Sequence, residues 1–227
     1  MKLIIGTRKT NAFYKLEQSL DVDGVSVKKR GRNFNDYNIV VDQGRIRDYF
    51  RGSNFSPIKR NEPDLYNKIF VENNNFITKA RIDSYLSADL AEFMRQQLLT
   101  NGISFTFETV MSHEGKIDFL FQARQKGFRV YLYYVATEDP DININRVQLR
   151  VAQDGHHVTP DAIRNRYYKS LSNLKSAVKQ TDRAYIFDNS GVQAKIIAEI
   201  NEGSIVNLND AIEVPNWVVQ YLLKTTN

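Results

Sequence analysis

The chain contains no cysteine. That removes disulfides, Cys-based zinc sites and a thiol nucleophile together, and it fits a reducing compartment. Long apolar runs are missing as well, and no segment approaches the roughly 18 apolar residues that a membrane-spanning helix needs. The N-terminal run Leu3–Ile5 is too short for the apolar centre of a signal peptide, so the cytoplasm is the expected compartment and a membrane is not an expected partner. Histidine is scarce, with three in the chain. His156 and His157 are adjacent and lack the i, i+4 spacing of helical metal ligands. A substrate-facing loop suits them better than a metal site.

What is present fits one folded domain. The chain has 227 residues, 42% of them apolar and 25% charged, enough to bury a sizeable core without staples. The net charge of +5 suits a phosphate-bearing ligand or nucleic acid, and equally a basic solvated surface. The densest basic cluster is Lys28-Lys29-Arg30-Gly31-Arg32. It reads as an exposed loop, and its lack of interleaved aromatics argues against nucleic acid as the partner.

Hydrophobic patterning alternates between strands and helices. Leu3–Ile5 reads as a short buried strand ended by Gly6, with a helix over Asn11–Leu20 and a second strand over Asn38–Val41 that delivers Asp42. Residues 52–75 form an irregular insertion. From Asp83 onward, Leu86, Leu90, Phe93, Met94 and Leu98 repeat at helical spacing before Gly102. Ile103–Glu108 is a strand; Ser112 caps a helix that runs to Lys126 and Gly127; Val130–Val135 is a strand. Asp139-Pro140 and Thr159-Pro160 open two further helices. Arg183–Asp188 is a strand, Ala194–Ile200 and Ser204–Leu208 a hairpin, and Pro215 opens a last helix. This order predicts an α/β fold, a parallel sheet with helices on both faces plus a small C-terminal hairpin and helix, all in a single domain over 1–227.

Ligands of such sheets bind at the carboxyl ends of the strands. Asp42, Glu108-Thr109 and Asp188 stand at those ends, and Arg146 and Arg150 lie one turn apart on the helix after the fourth strand. Carboxylates and arginines at one rim are what phosphoryl transfer requires: a proton acceptor, and guanidinium groups that grip phosphate oxygens in pairs. Each has a plainer use. A strand-end aspartate often caps a helix, and the two arginines could be the solvated side of a helix whose other side, through Val147 and Val151, is core.

Five segments resemble the zeta toxin-like P-loop kinases. Ser104–His113 looks like their S-F-x-F-E-T-x-x-S segment, and Asn145–Val151 like their N-R-V-x-x-R-V lid helix. Asp154–Thr159 is similar to their G-G-H-x-V-P loop, Arg164–Leu171 to the helix that follows, and Asp182–Ser190 to the closing strand. The resemblance is clearest over 83–191. It implies a P-loop kinase fold and a phosphotransferase using ATP or GTP with Mg²⁺. The acceptor would be a hydroxyl of a nucleotide-sugar such as UDP-N-acetylglucosamine or of a related phosphorylated small molecule, and an antitoxin protein is a candidate partner. It also implies that Arg146 and Arg150 touch the transferring phosphate and that Asp42 is the general base. Arg45, Glu108, Thr109, His156 and Arg166 would then line the substrate pocket.

One family feature is altered. A P-loop has the pattern G-x-x-x-x-G-K-[ST], whose backbone N–H groups cradle phosphates. No two glycines here stand five apart, and Gly6 is followed by Thr7-Arg8-Lys9-Thr10. Two readings stand. Either a shortened loop keeps Gly6, Lys9 and Thr10 for the nucleotide, with the Thr10 hydroxyl on Mg²⁺, or the loop is dead and the chain is a non-catalytic relative that binds a ligand or a partner protein.

Overall fold

The computed structural model describes residues 2–7, 40–52, 61–72, 75–81, 83–153 and 157–224. The expected helix over Asn11–Leu20, the basic cluster Lys28–Arg32, and Lys9, Thr10 and His156 lie outside the described residues. In chain order the elements are β1 (Lys2–Thr7), α1 (Gln43–Gly52), β2 (Ile69–Glu72), β3 (Asn75–Thr78), α2 (Ser84–Thr100) and β4 (Phe105–Glu108). They continue as α3 (Gly115–Gln125), β5 (Phe128–Ala136), α4 (Pro140–Val151), α5 (Pro160–Lys179), β6 (Arg183–Asp188), β7 (Lys195–Asn201) and β8 (Ser204–Leu208). A last helical stretch, α6 (Asn216–Val218), runs on as a π-helix over Val219–Leu223. The chain divides into two compact units, residues 14–105 and residues 1–13 with 106–227.

The first of these units holds α1, a 3₁₀ turn over Leu65–Lys68, the β2–β3 hairpin and α2. Asp83 starts α2 because its carboxylate accepts the Tyr85 and Leu86 amides at 3.1 and 2.9 Å, two donors that a helix start leaves without partners. Of the expected stripe, Leu86, Leu90, Phe93 and Leu98 are buried, and Met94 is half-buried. Gln43 at the start of α1 mimics a strand edge, donating to Ile69 O and accepting from Val71 N. The region expected to be irregular therefore contains a short 3₁₀ turn and an ordered hairpin.

The other unit is built on a six-stranded sheet in the order β4-β1-β5-β6-β7-β8. The α/β architecture stands, but the sheet is mixed rather than parallel throughout. Only β5 and β6 are paired in parallel in the described registers, and the crossover through α4 and α5 permits it. The short links between β6, β7 and β8 allow only antiparallel pairing, and β1 also runs antiparallel to β5. Val130, Leu132 and Tyr134 of β5 and Ala184 and Ile186 of β6 point to one face and are buried, and Phe119, Leu120 and Ala123 of α3 and Leu171, Leu174 and Val178 of α5 are buried as well. The other face carries Tyr133 stacked on Tyr185, ring centres 5.0 Å apart.

Two local expectations are corrected. Ser112 does not cap α3, which starts at Gly115; His113 Nδ1 accepts the Gly115 amide at 3.1 Å instead. The chain turns first at Met111, whose φ of 61° is held by Asn173 Nδ2 donating to its carbonyl at 2.9 Å. Val40 and Val41 are not in a strand, and Asp42 instead precedes α1 as its cap, because its carboxylate accepts the Arg45 amide at 2.8 Å. At the far end of α3 the expected stop holds: Gly127 has φ 80°, a conformation that only glycine adopts without strain.

Candidate functional site

The carboxyl ends of β5 and β6 lie side by side because the strands are parallel, with Ala136 opposite Asp188. Beyond them the chain continues as Thr137-Glu138-Asp139 and Asn189-Ser190-Gly191. The two turns are stitched together. Asn189 N donates to Ala136 O at 2.7 Å, and Glu138 N donates to Ser190 Oγ at 2.7 Å. Ser190 Oγ donates in turn to Asp188 Oδ2 at 2.9 Å, while Asp188 Oδ1 accepts the Ser190 amide at 3.0 Å. Asp188 also accepts the Trp217 indole N–H at 3.1 Å. Both of its oxygens are committed to protein donors, so its role here is to hold the turn.

Helix α4 rises from this rim. Asp139 caps it by accepting the Asp141 amide at 2.7 Å, and Asn143 Nδ2 donates to Thr137 Oγ1 at 2.7 Å, fixing the first two turns to the end of β5. Arg146 and Arg150 follow on one face, both exposed. Arg146 Nη2 donates to Gly191 O at 3.3 Å, at the long end of the hydrogen-bond range. Arg150 has no hydrogen-bond or ion-pair partner among the described residues. The helix therefore offers two cations beside a strand end with little else to hold them. Leu149 between them is 69% exposed, so this face of α4 is turned outward.

Helix α5 aligns the pieces. Four of its side chains, spaced three apart, each hold a different part of the site. Arg164 pairs with Asp141 of α4 at 2.6 Å, and the Tyr167 hydroxyl donates to Thr137 O at 2.7 Å and lies 3.1 Å from Glu138 O. Ser170 shares a 3.0 Å hydrogen bond with Tyr134 of β5, and Asn173 holds Met111. Burial, reinforced by Glu138, pushes the Tyr167 hydroxyl well above its ordinary pKa, and burial does the same to Tyr134. Both stay neutral across the physiological range.

The loop after β4 brings Glu108 and Thr109 to the same helix. From Tyr167 to Asn173 is six residues, about 9 Å along the axis. Glu108 is exposed and has no partner among the described residues. Thr109 Oγ1 accepts the Met111 amide at 3.3 Å, so that hydroxyl helps to form the turn. Arg166 and His157 are exposed and equally without described partners.

Gly6 does not join this rim. Gly6 lies inside β1, opposite Arg129 near the start of β5, seven residues from Ala136 and so about 23 Å away along the strand. Asp42 and Arg45 belong to the other unit. There Arg45 Nε is 3.8 Å from Asp42 Oδ2, and Arg45 Nη1 donates to Gln97 Oε1 at 3.3 Å. Sequence reasoning missed Glu138, Tyr167 and Trp217 as parts of the site. The strand-end rule points at Thr137–Asp139, but the arginines of the following helix drew attention past them. Among the described residues no group of three acidic or imidazole side chains is placed to hold a metal ion, and no helix is long and apolar enough to cross a membrane.

A family model described as Zeta toxin matches residues 78–199. An uncharacterised protein of Haemophilus influenzae is 32% identical over 65 residues, covering 29% of this chain and 46% of that protein. The chain thus matches less than half the length of that relative. No solved structure matches.

Proposed function

The chain belongs to the zeta toxin family, whose pattern it carries over residues 78–199, and on that premise we propose a phosphotransferase acting on a phosphorylated small molecule. The acceptor is a hydroxyl of a nucleotide-sugar of the UDP-N-acetylglucosamine kind, and the donor is ATP or GTP with Mg²⁺. The acceptor oxygen bonds to the γ-phosphorus and the β–γ bridging P–O bond breaks. The hydroxyl proton leaves to a carboxylate, a role that the family resemblance gives to Asp42. Arg146 and Arg150 grip the phosphate oxygens, because a guanidinium fork matches them and carries a permanent charge. Glu108, Thr109, Arg166 and His156 are the candidates for contact with the acceptor. An antitoxin protein is the partner that the family implies.

The observation that carries this reading is the state of the two arginines. One leans on a single backbone carbonyl and the other has no described partner, on a helix anchored to the strand ends where such sheets bind ligands. Mg²⁺ would arrive with the nucleotide and neutralise charge on its phosphates. The chain's own task at this rim is to present the arginines and to exclude alternative partners for them.

A second reading is favoured by the direction of β1. Gly6 stands at the opposite end of β5 from Arg146, so a cradle opening at Gly6 does not share that rim. A relative that binds a phosphorylated ligand without transferring phosphate fits this placement. Transfer of labelled γ-phosphate from ATP to UDP-N-acetylglucosamine separates the two. Label in the sugar nucleotide, lost in Arg150→Ala, supports the phosphotransferase. Tight ligand binding without transfer to this or other UDP-sugars supports the binder.

A further inference from the structure

We propose that Trp217 is a positioning residue that sets Arg146 through the β6–β7 turn, so that the C-terminal helix tunes the phosphate grip. The proposal deepens the reading above and rests on it. Trp217 is the chain's one tryptophan, and only 3% of it is exposed. Its ring packs against Tyr134, with centroids 6.0 Å apart, and its indole N–H ends on Asp188 Oδ2 at 3.1 Å. The residue before it acts in parallel: Asn216 N donates to Glu138 Oε1 at 3.2 Å. The last helix thus holds both strand-end turns, one residue for each.

From Asp188 the path to the arginine is short. Asp188 accepts both the amide and the hydroxyl of Ser190, and that hydroxyl also accepts Glu138 N. Ser190 has used its one proton and one lone pair, which fixes the orientation of the group. The next residue is Gly191, whose carbonyl is the hydrogen-bond acceptor described for Arg146. Where that carbonyl points decides where the guanidinium waits. At 3.3 Å and exposed to water the contact is weak, and a phosphate oxygen makes a stronger one. The carbonyl is a parking position from which Arg146 moves to an arriving phosphate.

If the network only pinned the last helix in place, altering it would lower stability and leave the arginine's contribution untouched. A coupling measurement separates the two roles. Inorganic pyrophosphate is titrated calorimetrically into the unaltered protein, Trp217→Phe, Arg146→Ala and the double variant, with the melting temperature recorded for each. Ser190→Ala is run in the same cycle and carries the test where Trp217→Phe does not fold. The expected result is a loss of about fivefold in affinity from either change in the unaltered background, the scale of one hydrogen bond, and no further loss once Arg146 is alanine, with Arg150 maintaining measurable binding. Equal losses in both backgrounds, or no loss in either, overturn the proposal and leave the phosphate-grip reading standing. Failure of the unaltered protein to bind pyrophosphate, or full binding by Arg146→Ala and Arg150→Ala alike, overturns that reading and this proposal with it.

Discussion

Helix α1 opens with an acid and a base that answer each other, whereas helix α4 carries two bases with almost nothing to answer them. Asp42 accepts the Arg45 amide and stands beside the Arg45 guanidinium, which reaches on to Gln97. Arg146 has one weak carbonyl contact, and Arg150 has no described partner. The aspartate that the family resemblance makes a general base is also what the start of α1 uses to cap itself, so Asp42 has a structural use before any chemical one. The arginines of α4 have no such use in the described structure. Charges left uncommitted on a rigid scaffold are the ones available to a ligand.

Reversing one of those charges should have the largest effect. Arg150→Glu is expected to weaken ATP or pyrophosphate binding about a hundredfold or more, since it removes a charge-assisted pair and adds repulsion, while the melting temperature stays within about 1 °C, as for a surface change that breaks no contact. Titration calorimetry and a thermal melt check both halves. A large drop in stability instead would mean that Arg150 has a structural partner after all.

Tyr167→Phe should affect the scaffold rather than the ligand charge. It keeps the ring and deletes the hydroxyl that serves the Thr137 and Glu138 carbonyls. A loss of about 1–2 kcal/mol in urea unfolding is expected, from one hydrogen bond and a carbonyl left dry. No loss would show that water replaces the hydroxyl freely.

At the start of α1 a pair of variants sharpens the contrast. Asp42→Ala should cost about 1 kcal/mol as a lost cap, and Asp42→Asn should recover most of it because an amide oxygen caps as well. If Asp42 also takes the acceptor proton, phosphate transfer is lost in both variants, since the amide cannot act as a base. Transfer that follows stability across the two would remove Asp42 from the chemistry.

The smallest effect is alkaline. Tyr134 and Tyr167 are held neutral by burial, with pKa values raised above the ordinary value near 10. Above pH 10 the unfolded chain loses phenolic protons that the folded chain retains, so stability is full below pH 10 and falls as pH rises beyond it. Tyr134→Phe should flatten that fall, as read from urea midpoints between pH 9 and 11. An unchanged slope would show that the hydroxyl ionises freely in the fold.

The parts legible in the sequence are those with local causes. Helix α2 is readable because a capping aspartate, a helical stripe and a terminal glycine all lie within one segment, and α4 and α5 announce themselves by Asp139-Pro140 and Thr159-Pro160. The arginines of α4 stand out through the family pattern around them. The direction of β1 does not, because a short apolar run reads the same in either direction and only its pairing with β5 decides. The Glu138–Ser190 and Glu138–Asn216 contacts join residues 52 and 78 positions apart through single backbone amides. Such bonds leave no spacing or composition to notice. Asp42 was ambiguous for a different reason: a strand-end acid and a helix cap use the same residue in the same place, and the chain before it decides which one is present.

The central claim is that the outward face of α4 receives phosphate. Its most direct measurement is calorimetric titration of pyrophosphate into the unaltered protein and into the double variant Arg146→Ala/Arg150→Ala, matched by melting temperature. Saturable binding that the double variant loses, with its fold intact, is the predicted result. Equal affinity in the two proteins would contradict the account.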